Sequence, residues 1–228
     1  MFGEPQMEHD TRYDRAVEWL DVIKRLWTAQ EEFDYEGRFY KVAKGWCMPK
    51  PIQQPYPVVM NAGGSERGRH YAAKFCDVAF LNLGSSDVDY IHKQIAAYKE
   101  LARREYGREI QVWSHAYIVQ GETEAEARSF FNYYVHEKGD WEAAENLVNM
   151  LGLNSKNLGP ERLKSLKAHF VGWGGYPLVG TKEWIVDALA KLAHAGFDGV
   201  ILSWPRYIEH MRQFQTTTLP LLEQAGLR

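Results

Sequence analysis

Cysteine is nearly absent. Cys47 and Cys76 are the only two in 228 residues and form no CxxC pair. So few thiols exclude a disulfide framework and fit a reducing compartment. An excess of one charge is also missing. The formal net charge is −3, which gives no basis for expecting nucleic acid or an anionic membrane as partner. No apolar run approaches the roughly 20 residues of a membrane span. The opening residues, MFGEPQMEHD, are polar and acidic, unlike a signal peptide, so the reading is cytoplasmic. The eight histidines include no HxH or HExxH pair, so no metal site is expected. The spacings GxGxxG and GxxxxGK[ST] are missing too, and with them the usual support for a dinucleotide or ATP. No Ser-His-Asp order or acidic pair stands out.

What the chain does have is aromatic surface and a rhythm of short elements. Eight Trp and 13 Tyr suit a large core with amphipathic rings at its rim, or the lining of a site for a flat, apolar ligand. Tyr13, Val17, Leu20, Ile23 and Trp27 recur at spacings of three and four, predicting a helix to about Trp27. Thr11 with Asp14 resembles a capping box at its start. EEFDYEGRFYKV alternates on both sides of Glu36-Gly37 and predicts a β-hairpin. The proline-rich stretch MPKPIQQPYP then reads as a loop within one domain.

From there strands and helices alternate. Strands are predicted at 58–61, 78–83, 110–119 and 199–202. Helices are predicted at 65–75, 87–106, 124–136, 141–151, 161–169, 181–195 and 207–225. The glycine-rich VGWGGYPLVG, residues 171–180, reads as a loop. Such alternation means an α/β fold with parallel strands and right-handed crossovers. Four such units are half of what a (β/α)8 barrel of about 250 residues requires.

Few residues stand out chemically. PVVMNAGGSERGRHYAAKFC leaves a strand through Gly63-Gly64-Ser65 and enters a helix at once. Free N–H groups and the positive end of the helix dipole make such a turn able to hold an anion. The spacing alone equally allows a plain β–α turn. His115 and Tyr117, two apart in QVWSHAYIVQ, share a strand face; they are either a core pair or part of an active-site wall. Arg12 and Tyr13 open the first helix, either as a solvated and a buried residue or as ligand contacts.

Together, EHDTRYDRAVEWLDVIKRLW, FDYEGRFYKV, PKPIQQPYP, VVMNAGGSERGRHYAAKFCDVAF and LVGTKEWIVDALAKLAHAGFDGVILSW resemble the bacterial luciferase-like flavin-dependent monooxygenases. The alkanesulfonate, dimethylsulfone and pyrimidine monooxygenase branch is the most similar. The resemblance covers nearly the whole chain and rests on the order and spacing of the blocks. It implies a TIM-type (β/α)8 barrel, of which residues 1–228 form a single domain: the second half, four parallel strands with helices, plus a β-hairpin and a helical insertion. The family's first four βα units are not represented.

The resemblance further implies reduced FMN as cofactor, supplied by a separate flavin reductase, with O2 and a small organic molecule as substrates. Gly63, Gly64 and Ser65 match the family's phosphate turn, and Arg12-Tyr13 its flavin-contacting pair. His115 and Tyr117 fall at active-site positions where alkanesulfonate enzymes carry arginine and histidine, so a sulfonate substrate is not implied. Two alternatives stay open: an oxidoreductase of the same superfamily using the deazaflavin F420, and a non-catalytic half-barrel that binds a partner chain. Half a barrel exposes strand edges and an inner sheet face. A homo-oligomer is therefore expected, unless the segment 124–169 folds back over the open side.

Overall fold

The computed structural model describes residues 7–83, 87–150, 159–172 and 174–228. The chain divides into two units, each packed about its own strands. One comprises Met1–Phe80 and Ala97–Gln111, the other Leu81–Ala96 and Val112–Arg228. Among the described residues no helix is long and apolar enough to cross a membrane.

In the first unit the chain opens with α1 (His9–Thr28). Its cap is not the Thr11–Asp14 pair predicted from sequence. Glu8 takes that place, its carboxylate accepting the N–H groups of Asp10 at 3.0 Å and Thr11 at 2.9 Å. A carboxylate one turn earlier does the same work, satisfying orphan donors and facing the positive end of the helix. The hairpin forms as predicted, β1 (Phe33–Glu36) antiparallel to β2 (Lys41–Gly45). Glu18 of α1 pins its turn by accepting from the amides of Arg38, Phe39 and Tyr40 at 3.0, 2.8 and 3.3 Å. A Cβ on Gly37 would lie 2.3 Å from that carboxylate, which is why the turn carries glycine.

Two short parallel strands follow, β3 (Met60–Asn61) and β4 (Val78–Phe80), joined by α2 (Glu66–Phe75). Asp77, just before β4, accepts the Val59 N–H at 2.9 Å. α2 packs on α1 through a core of Leu20, Tyr71 and Cys76, with Tyr13, Ala16, Val17, Val59 and Phe75 around it. Burial raises the Cys76 thiol to about 11, so this cysteine acts as an apolar packing group and not as a nucleophile. The unit also contains residues 97–106 of α3 (Val88–Tyr106).

The second unit is built on β5 (Gln111–Gln120). β6 (Tyr176–Gly180) pairs parallel with residues 116–120, and β7 (Gly199–Ser203) pairs parallel with residues 113–117. Asp198 repeats the device of Asp77: its carboxylate accepts the Val112 N–H at 2.8 Å. Between β5 and β6 come α4 (Glu124–Asn132), a π-helical turn (Tyr133–Glu137), α5 (Trp141–Met150) and α6 (Pro160–Val171). α7 (Lys182–His194) is capped by Thr181, which accepts from Trp184 N–H at 3.4 Å. α8 (Tyr207–Thr217) and α9 (Leu219–Gln224) close the chain.

Two predictions fail here for local reasons. The stretch read as a glycine-rich loop contains a strand, β6. The final helix, predicted as one piece over 207–225, breaks at Thr218, because Pro220 lacks the N–H and clashes with the preceding turn. Leu151, the predicted end of α5, and Trp173 of the glycine-rich stretch lie outside the described residues.

Candidate functional site

The turn after β3 is set by short-range chemistry. Asn61 Oδ1 accepts the Gly63 N–H at 2.8 Å, folding the chain back on itself. Ser65 is the N-cap of α2, its Oγ accepting the Gly68 N–H at 3.1 Å. Neither Gly63 nor Gly64 has a positive φ, so the left-handed region does not explain them. Space does so for Gly63. A Cβ there would lie 2.3 Å from the Tyr13 hydroxyl and 2.9 Å from the Gly68 Cα. A Cβ on Gly68 would meet the same hydroxyl at 2.5 Å. The two glycines thus let strand and helix backbones touch beneath Tyr13. Above Gly64 there is open space, with nothing within 4 Å of an added Cβ.

The arrangement suits an anion. Gly64, Ser65 and Glu66 are exposed at the start of α2, and their N–H groups have no hydrogen-bond partner among the described residues. They converge with the positive end of a ten-residue helix. Tyr13 stands beside the turn, its ring 5.5 Å from that of Tyr71 and 5.3 Å from that of His9. Arg12, its neighbour, is exposed and makes no ion pair among the described residues. The unit therefore brings Tyr13, Gly63, Gly64 and Ser65 together around one turn, with Arg12 adjacent in the chain. Sequence reasoning missed Asn61 and Gly68. The Asn-x-Gly spacing was a usable signal for the first.

His115 and Tyr117 lie in the second unit and do share a face. His115 Nε2 is 2.8 Å from Ser203 Oγ. A Cβ on Gly175 would lie 2.5 Å from His115 Nδ1, and one on Gly172 would lie 2.6 Å from the Tyr117 hydroxyl. Both side chains therefore abut backbone of the glycine-rich stretch, whose Gly174 adopts φ +67°. Tyr117 stacks on Phe131, with centroids 6.4 Å apart and planes 4° from parallel.

Desolvation governs the electrostatics. It lowers the pKa values of His115 and His169, and the proximity of His115 lowers that of His169 further. It raises Tyr117 to about 12 and pushes Tyr134 up as well. At neutral pH this face thus offers uncharged imidazoles and protonated phenols. Such groups donate and accept hydrogen bonds without drawing in counter-ions. Ser203, Gly172, Gly175 and Tyr134 were not singled out from sequence, since nothing local marks a residue that meets β5 only through the fold.

A strand–turn–helix turn with free amides and a strand face of neutral polar groups, both on parallel strand–helix scaffolding, place the chain in the α/β class. Within that class, the chain belongs to the luciferase-like monooxygenase family, whose model matches residues 1–199. It is similar to the FMNH(2)-dependent dimethylsulfone monooxygenase of Pseudomonas putida, at 31% identity over 97% of this chain and 61% of that protein.

Two solved structures share the fold. A long-chain alkane monooxygenase superposes with TM-score 0.80 at 24% identity, covering 99% of this chain and 59% of that one. A riboflavin lyase with modified FMN and riboflavin superposes with TM-score 0.78 at 22% identity, covering 99% and 60%. The α/β fold expected from sequence, of the luciferase-like TIM-barrel type, is borne out. The chain spans about 61% of the length of the curated relative it matches.

Proposed function

We propose that this chain carries the phosphate-holding part and one substrate-facing wall of a two-component, FMN-dependent monooxygenase acting on a small organic molecule. The observation that carries the reading is the match, over 97% of the chain, to a protein whose name specifies FMNH(2). The residues present fit that cofactor. A phosphate dianion needs several convergent donors and a positive potential, and the Gly64–Glu66 amides at the start of α2 supply both. Ser65 adds a hydroxyl, Tyr13 a wall and Arg12 a nearby cation. When bound, reduced FMN supplies the electrons that activate O2. The work left to the protein is to orient, to exclude water and to hold protons in place. Half-buried His115 and buried Tyr117 do this as neutral groups.

The same reading assigns a separate flavin reductase as the source of reduced FMN, the cytoplasm as location and a second copy of the chain as a partner. The deazaflavin F420 is the weaker cofactor reading, because the curated relative is named for FMNH(2). Fluorescence titration of the purified chain with FMN and, separately, with F420 tests the assignment. Saturable FMN binding that competes with inorganic phosphate supports it. Binding of F420 alone, or of neither, overturns it. Light scattering on the same sample tests for the second copy.

A further inference from the structure

Ser203 ends β7, and its register partner on β5 is Tyr117. Registered residues on parallel neighbours project to the same side, and residues two apart on one strand share a face. His115, Tyr117, Ile201 and Ser203 therefore line one side of the β5–β7 pair. On the opposite flank of β5, Gly175 directly precedes β6, and its missing Cβ leaves room for the imidazole. The ring is thus held between a serine hydroxyl on one side and bare backbone on the other.

The two ring nitrogens differ in what they meet. Nε2 lies 2.8 Å from Ser203 Oγ. Nδ1 has no hydrogen-bond partner among the described residues. A hydroxyl carries one proton and needs an acceptor for it. For Ser203 the acceptor within reach among the described residues is His115 Nε2. In a neutral imidazole, a nitrogen that accepts forces the proton onto the other.

We propose that Ser203 is a positioning residue: its hydroxyl donates to His115 Nε2 and fixes the ring as the Nδ1–H tautomer. His115 then presents a hydrogen-bond donor, and not a base, to whatever binds on that face. This rests on the reading of His115 as a substrate-facing residue. Burial favours its neutral form. The matching substrate group is an uncharged acceptor, such as a carbonyl or sulfonyl oxygen.

The test is nitrogen-15 NMR of the imidazoles in the full chain at pH 7.5, with a His115→Gln variant to assign the signal. The expected result is a protonated Nδ1 and a hydrogen-bond-accepting Nε2 for His115. Ser203→Ala should shift the signal toward the Nε2–H form or a mixture, and Ser203→Thr, which keeps the hydroxyl, should restore the wild-type pattern. A wild-type ring protonated on Nε2 overturns the proposal, as does an unchanged tautomer in Ser203→Ala. The measurement needs no flavin. Adding FMN to the same sample tests the cofactor reading separately, so one can fail while the other stands.

Discussion

The Tyr13 hydroxyl lies over Gly63 so closely that a Cβ on that glycine would sit 2.3 Å from it. The contact ties the second turn of α1 to the turn between β3 and α2, and it separates the duties of two adjacent glycines. Gly63→Ala is expected to destabilise the fold by about 1–3 kcal/mol, because the Gly68 backbone must also move. Gly64→Ala meets nothing and should leave the unfolding midpoint within about 0.5 kcal/mol of wild type. If Gly64 faces a phosphate, that second variant should nonetheless bind FMN more weakly. Chemical unfolding and FMN titration of both variants check the pair.

Ser65 has a capping role and a proposed binding role, and two substitutions pull them apart. Ser65→Ala removes the acceptor for the Gly68 N–H and should cost about 0.5–2 kcal/mol of stability. Ser65→Asp keeps a good cap, so stability should hold. The new charge repels a phosphate, so FMN affinity should fall at least tenfold. Undiminished FMN affinity in Ser65→Asp would remove Ser65 from the binding site.

Stability should fall on mild acidification. Burial depresses the pKa values of His115, His169 and His210 below 6.5. The unfolded chain protonates these rings as pH drops through about 6.5, whereas the folded chain does so only at lower pH. The unfolded state then binds more protons, and the equilibrium moves toward it. His210 is the informative site. Its Nδ1 is buried without a partner among the described residues, and Arg206 lowers its pKa while Glu209 opposes the shift. The urea midpoint should drop between pH 7.5 and 5.5, and drop less in His210→Gln. Equal drops in both proteins would show that His210 takes no part.

Asp77 offers a test of strand anchoring. Asp77→Ala leaves the Val59 N–H without its 2.9 Å acceptor and should cost about 1–2 kcal/mol. Asp77→Asn keeps an acceptor oxygen and should recover most of it. Hydrogen exchange at Val59 should quicken in the alanine variant and not in the asparagine one.

The parts of this molecule that could be read from sequence are those written in neighbouring residues. Glu36-Gly37 between alternating runs announced the hairpin, and Ser65 after two glycines announced a helix start. The parts that could not be read depend on residues meeting across long stretches of chain. Glu18 pins the hairpin from 20 residues away. Ser203 reaches His115 across 88, and no local pattern pairs them. β6 was hidden because Pro177 and Gly180 suggest a loop, although β5 supplies a partner that overrides their weak strand preference. At the first helix the capping chemistry was recognised but assigned to Thr11, when Glu8 performs it.

Asp198 has an effect far from where it sits. By accepting the Val112 N–H at 2.8 Å, it fixes the sliding position of β7 along β5 at the end where both strands begin. Five residues further on, that alignment sets Ser203 across from Tyr117 and within reach of His115. A slip of a single residue would turn the serine to the opposite side and bring Leu202 into its place. The carboxylate works as the zero mark of a ruler whose reading is taken at the far end, in the protonation of an imidazole it never touches.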